Sequence, residues 1–236
     1  MQMQIAEISV EIIRKKIKNM HLWVLAPDGQ VRVSAPLKTP DAVIAGFVTA
    51  KLDWISKQQA RLAAQPSRQV RKYVSGEPLY LWGKRYTLEV VHSRPGNSLL
   101  PEGSRAILNV RQASTPRQRE AFVREWYREQ LKAQVEKMLP AWEEITGLYC
   151  SGWQSKYMTT RWGTCNTVTR KIWLNLQLAK APPACLEYVI LHELAHLQVR
   201  DHGPRFEAIL RAYMPDWKAR KKMLNDSILT DMLPAK

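Results

Sequence analysis

Cysteine is scarce in this chain of 236 residues, with three in all: Cys150, Cys165 and Cys185. An odd number without framework spacing excludes a disulfide scaffold and reads as reduced thiols in a cytoplasmic protein. No Cys-x2-4-Cys pair is present, so a zinc finger is not expected either. No run of about eighteen apolar residues occurs, which argues against a membrane-spanning helix. The start carries Glu7, Glu11, Arg14, Lys15 and Lys16 around no long apolar core, so it does not read as a signal peptide. Acidic residues are in short supply, 21 against 36 Lys and Arg, for a net charge of +15. That imbalance suggests an anionic partner: nucleic acid, a nucleotide or an acidic surface. With no RGG tract and no uninterrupted basic tail, the charge does not choose among them. No acidic cluster suited to magnesium stands out, and no internal repeat is visible. Hydrophobic content of 45% suffices for a core, in one large domain or two small ones.

What is present centres on residues 187–202, which hold three of the five histidines. His192 and His196 are four apart, so a helix places both on one face, one turn apart. Two imidazoles so placed can reach one metal ion, and Glu193 between them suits the general base for an attacking water. His202 supplies a third imidazole after a short connection, and Gly203-Pro204 forces a bend. Glu207 and Asp216 are the alternative third ligands. The pattern H-E-x-x-H also occurs by chance on solvated helices. Here Leu186, Ile190, Leu194 and Leu197 form an apolar stripe, and Tyr188, Val189, Leu191, Ala195 and Val199 cover much of the rest. A helix apolar nearly all round is buried. Polar groups inside it need partners, because each left unpaired costs roughly 1–3 kcal/mol. A metal supplies that partner.

Along the chain, strands are predicted in 5–36, with Pro27-Asp28-Gly29 as a turn. Thr39-Pro40-Asp41 predicts a capped helix start, and the helix is expected to run to about Ala64. Gln65 to Lys72 reads as a polar linker with Arg68 and Arg71. A hairpin is expected over 78–92, a loop over 93–104 and a short strand over 106–110. Thr115-Pro116 opens a helix to about Met138, with Phe122, Trp126, Leu131, Val135 and Met138 inward; Pro140 interrupts it, and Ala141 to Ile145 can resume it. Strands over 155–161 and 171–176 flank Gly163 to Thr167. This hairpin just precedes the histidine helix, so Arg161, Trp162 and Asn166 are candidates to line a cleft. Cys165 reads as a packed thiol. His21 and His92 lie in strands without motif partners. Pro182-Pro183 opens the histidine helix, Gly203-Pro204 the next and Pro215-Asp216 the last. The last carries Lys218, Arg220, Lys221 and Lys222, either a phosphate patch or a solvated face. The fold class is α+β: a small N-terminal antiparallel sheet with a long helix over 1–112, and a helical metal-binding region with a β-hairpin over 113–236, the whole read as one compact unit.

Arg161-Trp162-Gly163-Thr164-Cys165, Trp173-Leu174-Asn175-Leu176, His192-Glu193-Leu194-Ala195-His196-Leu197, His202-Gly203-Pro204-Arg205-Phe206 and Pro215-Asp216-Trp217 resemble the YgjP-like metallopeptidase domain family in order and spacing. The likeness extends to the N-terminal part, where Asp53-Trp54-Ile55 stands at the expected helix end. A more distant likeness is to SprT-like DNA-associated proteases. The resemblance implies a zincin-like minidomain with one Zn2+, other divalent transition metals being the alternative, His192, His196 and His202 as ligands, and Glu193 as catalytic base. Thr164 stands where the family commonly has serine, which keeps the hydroxyl.

The first functional expectation is therefore metal-assisted peptide hydrolysis, with Arg161 or Arg205 as a cation for the developing oxyanion. The same chemistry applied to phosphorus would make a nucleoside triphosphate pyrophosphatase, for example UTP to UMP and diphosphate. That suits the excess of Lys and Arg but not the lack of a magnesium-binding carboxylate cluster. The third reading is a nucleic-acid-binding protein with a structural metal, against which the intact Glu193 counts.

Overall fold

The computed structural model describes residues 1–25, 28–64, 71–93, 96–158 and 160–226. Two compact units lie on either side of residues 65–70, so the expected linker, with Arg68, falls largely outside the described residues.

In the first unit, β1 (Gln2–Ile5) and β2 (Ile8–Lys15) form an antiparallel hairpin, as do β3 (His21–Leu25) and β4 (Gln30–Pro36). The hairpins join through β2 and β4, which run parallel, giving the order β1-β2-β4-β3. The expected antiparallel sheet is thus mixed, because each hairpin contributes its second strand to the centre. Alternation places Val10, Ile12, Val31 and Val33 on one face, where they bury with Ile44, Val48 and Ile55. Those last three come from α1 (Asp41–Thr49) and α2 (Leu52–Ala64). One helix was expected there. It breaks at Ala50 and Lys51, where the Lys51 N–H turns back to the Val48 carbonyl in a tighter i→i+3 bond. Thr39 is not the cap; Pro40 holds that position without a side-chain bond. Val43 is half exposed rather than inward, and Trp54 is also exposed.

The second unit opens with a sheet of the same design. β5 (Pro78–Leu81), β6 (Lys84–His92), β7 (Ser98–Glu102) and β8 (Arg105–Val110) pair in the order β5-β6-β8-β7, again with parallel central strands. The expected loop over 93–104 therefore contains β7. Its Gly and Ser content marks the ends, Gly103 turning at φ 58°. The turns of the leading hairpins also match, with Ala6 at φ 51° and Trp82 at φ 50°. One interval separates Ala6 from Trp82 and also Thr39-Pro40 from Thr115-Pro116. The chain thus carries a structural repeat, four strands then helix, that its residues do not display.

α3 (Pro116–Thr146) covers this core. Thr115 caps it through a full capping box with Gln118. Val123, Tyr127, Leu131, Val135 and Leu139 form the buried stripe, so Phe122, Trp126 and Met138 flank it rather than lead it. Pro140 lies inside the helix without ending it; Gly147 ends it at φ 68°. A second, three-stranded sheet follows: β9 (Gly152–Lys156), β10 (Gly163–Asn166) and β11 (Lys171–Asn175), in the order β10-β11-β9. The strand expected over 155–161 is the earlier β9, which runs parallel to β11. A 3-10 turn (Leu176–Lys180) leads into α4 (Pro183–Ala195), then α5 (Pro204–Tyr213) and α6 (Trp217–Asn225). The β5–β6 turn docks on that approach: Trp82 and Gly83 N–H donate to the Ala179 and Lys180 carbonyls at 2.9 and 3.0 Å. Leu79, Leu88, Leu108 and Leu131 share one core with Leu174, Leu178 and Ile190, so β5–β8 belong with the histidine helix. Both units are α+β. Among the described residues no helix is long and apolar enough to cross a membrane.

Candidate metal centre

α4 is buried nearly all round, with Cys185, Leu186, Val189, Ile190, Leu191, Leu194 and Ala195 in the core. Its last turn carries His192 and Glu193, and His196 forms its C-cap in αR geometry. The chain then turns back through Val199, and His202 arrives just before α5. One ring nitrogen from each of His192, His196 and His202 lies within 4.8 Å of the others. Nε2 of His202 and Nε2 of His192 face each other at 3.0 Å. Two imidazole nitrogens that close share a proton or a cation.

Neighbouring groups fix the rings. His196 Nδ1 lies 3.0 Å from the Val199 carbonyl oxygen. Only an N–H can bond there, so the lone pair of His196 is on Nε2, the tautomer a metal ligand needs. Tyr188, one turn before His192, places its hydroxyl 3.5 Å from His192 Nδ1. Burial, with the charge of Glu193 adding to it, raises that hydroxyl to about 12. Buried Phe206, on the first turns of α5, packs its ring 4.7–4.8 Å from all three imidazoles. The donor set fits a divalent metal that accepts imidazole.

Glu193 is 3% exposed, and its Oε2 has no hydrogen-bond partner among the described residues. Burial pushes its pKa up to about 8, and the charge of Arg161 pulls the other way. Its carboxylate lies against β10. A Cβ at Gly163 would come 2.5 Å from Glu193 Oε1 and 2.8 Å from its Cγ and Cδ. Gly163 has no left-handed φ, so glycine is there for space.

The structure sorts the other sequence candidates. Arg161 is exposed and is the cation whose charge reaches Glu193. Trp162 is half-buried against the core. Asn166 closes the β10–β11 turn, its Oδ1 accepting from Val168 and Thr169 N–H at 3.0 Å each. Arg205 is exposed on the first turn of α5. A surface cleft of about 290 Å³ borders His202 and is lined by Gly203, Pro204, Glu207, Ala208 and Arg211. Asp216 instead accepts from Arg220, which also pairs with Glu187. Cys165 packs at the core edge, and burial first, then Glu193, pushes its thiol up to about 11. His21 stacks on Trp23 in the first unit.

Two supporting residues were not among the expected site residues: Gly163 and Tyr188. Tyr188 was legible, since it stands one turn before His192. Gly163 acts across a strand-to-helix contact that no local spacing reveals.

The model of the YgjP-like, metallopeptidase domain, family matches residues 18–227. Among solved structures, the metallopeptidase zymogen jannalysin of Methanocaldococcus jannaschii is 22% identical, with a TM-score of 0.35, over 39% of this chain and 93% of its own. The metallopeptidase zymogen abylysin of Pyrococcus abyssi is 19% identical, with a TM-score of 0.35, over 39% of this chain and 89% of its own. No curated protein matches the chain.

Proposed function

Because the chain belongs to the YgjP-like metallopeptidase domain family, we propose that it is a zinc peptidase in which His192, His196 and His202 hold the metal and Glu193 is the general base. Family membership supports a metal-dependent hydrolase. The observation that carries the finer reading is the convergence of three imidazoles on elements that also deliver a buried carboxylate whose Oε2 has no hydrogen-bond partner among the described residues.

When bound, zinc supplies Lewis acidity to a water and to the scissile carbonyl. Glu193 takes the water's proton and passes it to the leaving amine. Arg161 supports charge developing on the carbonyl oxygen. β10 is an edge strand, with β11 on one side. Its other edge offers backbone partners to an extended peptide, added as a further strand. Gly163 brings that edge onto Glu193.

The test is metal analysis of the wild type and His202→Ala, with turnover of casein, unfolded peptides and nucleoside triphosphates by the wild type and Glu193→Gln. One zinc per chain, lost in His202→Ala, and peptide cleavage reduced by at least about a hundredfold in Glu193→Gln are expected. Triphosphate cleavage that needs Glu193, with peptides untouched, overturns the peptide substrate. A chain that binds no metal overturns the centre itself.

A further inference from the structure

Asn175 is fully buried at the end of β11 and satisfies its whole carboxamide. Its Nδ2 donates to the Met158 carbonyl at 2.9 Å and to the Arg161 carbonyl at 2.8 Å. Its Oδ1 accepts from Gln177 N–H at 3.1 Å and Met158 N–H at 3.4 Å. Its own N–H donates to the Trp162 carbonyl at 2.8 Å. One side chain thus ties down both ends of the stretch that enters β10. Arg161 is one of those ends, and Gly163, two residues on, lies against Glu193.

Such a residue has a plainer use. Asn175 also caps the 3-10 turn, and capping needs only the acceptor Oδ1. The two donor bonds serve no cap; they go to carbonyls of the β10 approach. A buried amide held by four partners has one orientation, so it sets the position of whatever it grips.

We propose that Asn175 is a positioning residue for the hydrolytic site: its two donor bonds hold Met158 and Arg161 so that β10 closes on Glu193 through Gly163 and Arg161 stays within reach of it. The functional part rests on the peptidase reading; the positional part does not.

Asn175→Asp separates the two uses. The size and the capping acceptor are kept, while a carboxyl can restore at most one of the two donor bonds, and only when protonated. In the zinc-loaded full chain, we expect one zinc retained and backbone hydrogen exchange at 162–166 faster by about tenfold or more, with exchange across 185–194 unchanged. With a casein-derived peptide, kcat falls by about tenfold or more while KM changes by less than about threefold. Unchanged exchange at 162–166 overturns the proposal. So does an increase spread equally over α4, which marks a general loss of stability, or an unchanged kcat. A wild type without peptide turnover overturns the peptidase reading, and the exchange comparison still decides the positioning role. Should Asn175→Asp not fold, Gly163→Ala replaces it. That substitution is expected to lower the thermal midpoint in the wild type and to have no effect in a Glu193→Ala background. Equal losses in both backgrounds overturn the closure of β10 on Glu193.

Discussion

At the scale of single residues, Glu193 is the group whose environment and chemistry pull in different directions. Burial holds its carboxyl near 8 against an ordinary value of 4.5 in the metal-free chain. A raised acid stabilises the fold fully only below the unfolded value, where both states are protonated. Between 4.5 and about 8 the unfolded chain ionises and the folded chain does not, so stability falls as pH rises; above about 8 the loss is complete. Urea unfolding of the chelated protein from pH 4.5 to 8.5 is expected to show this decline in the wild type. Glu193→Gln, which cannot ionise, is expected to lack that part of it and to gain on the wild type with each step in pH. Parallel curves for the two proteins would mean that Glu193 is solvated in the metal-free state. The histidines and Glu193 were legible because a helix converts sequence spacing into proximity, and their apolar neighbours placed that helix in the core. Gly163 was not legible as the wall against Glu193. Its contact spans from a strand to a helix thirty positions later, and a glycine in a strand carries no sign of which neighbour needs the room.

At the scale of elements, the clearest signals were local and chemical. Thr115, Pro116 and Gln118 form both bonds of a capping box at the start of α3, and Gly147 ends it in the left-handed region. Thr115→Ala removes the acceptor for the Gln118 N–H and is expected to cost about 1 kcal/mol, measured by chemical denaturation. Leu131→Ala, in the fully buried centre of the same helix, is expected to cost about 2–5 kcal/mol. A smaller loss at Leu131 than at Thr115 would contradict its place in the core. The start at Thr115 was legible from its cap, whereas the end at Gly147 was expected earlier, at about Met138. The break at Ala50 and Lys51 was not legible, because α1 gives way to α2 without a proline or glycine. Nor was β7, where Ser98 to Glu102 hides between turn-forming residues. There the pairing of Leu99 with Leu108 makes the strand, and pairing is decided by a partner rather than by composition. Pro140 shows the converse: the local signal predicted an interruption, but buried Leu139 and half-buried Trp142 anchor one continuous helix on both sides of it.

At the scale of the molecule, two sheets share one strand order and one sequence of parallel and antiparallel pairings. Each is followed by helix, yet only the second is followed by the sheet and helices of the candidate centre. The repeat escaped a reading of residues because topology constrains which positions are apolar, not which apolar residue fills them; Val10 and Ile12 lie on strand β2 as Tyr86 and Leu88 lie on β6. Among the described residues, the buried apolar side chains other than Met158 fall into two clusters with no member in common, one around Val10, Val31 and Ile44, the other from Leu79 to Leu224. Every residue of the candidate centre, and every residue that Asn175 grips, lies in the second unit. A chain of about this second unit's length buries a sufficient core by itself. The fragment 70–236 is therefore expected to fold cooperatively, to bind one metal ion per chain and to retain most of the full chain's peptide turnover. Calorimetry and metal analysis of the fragment check the first two, and turnover checks the third. A fragment that folds and binds metal but loses turnover would place the first unit in substrate handling, which its separate core leaves it free to do. A fragment that does not fold would mean that the cluster around Leu79 and Leu131 depends on the first unit, contrary to the division of the core.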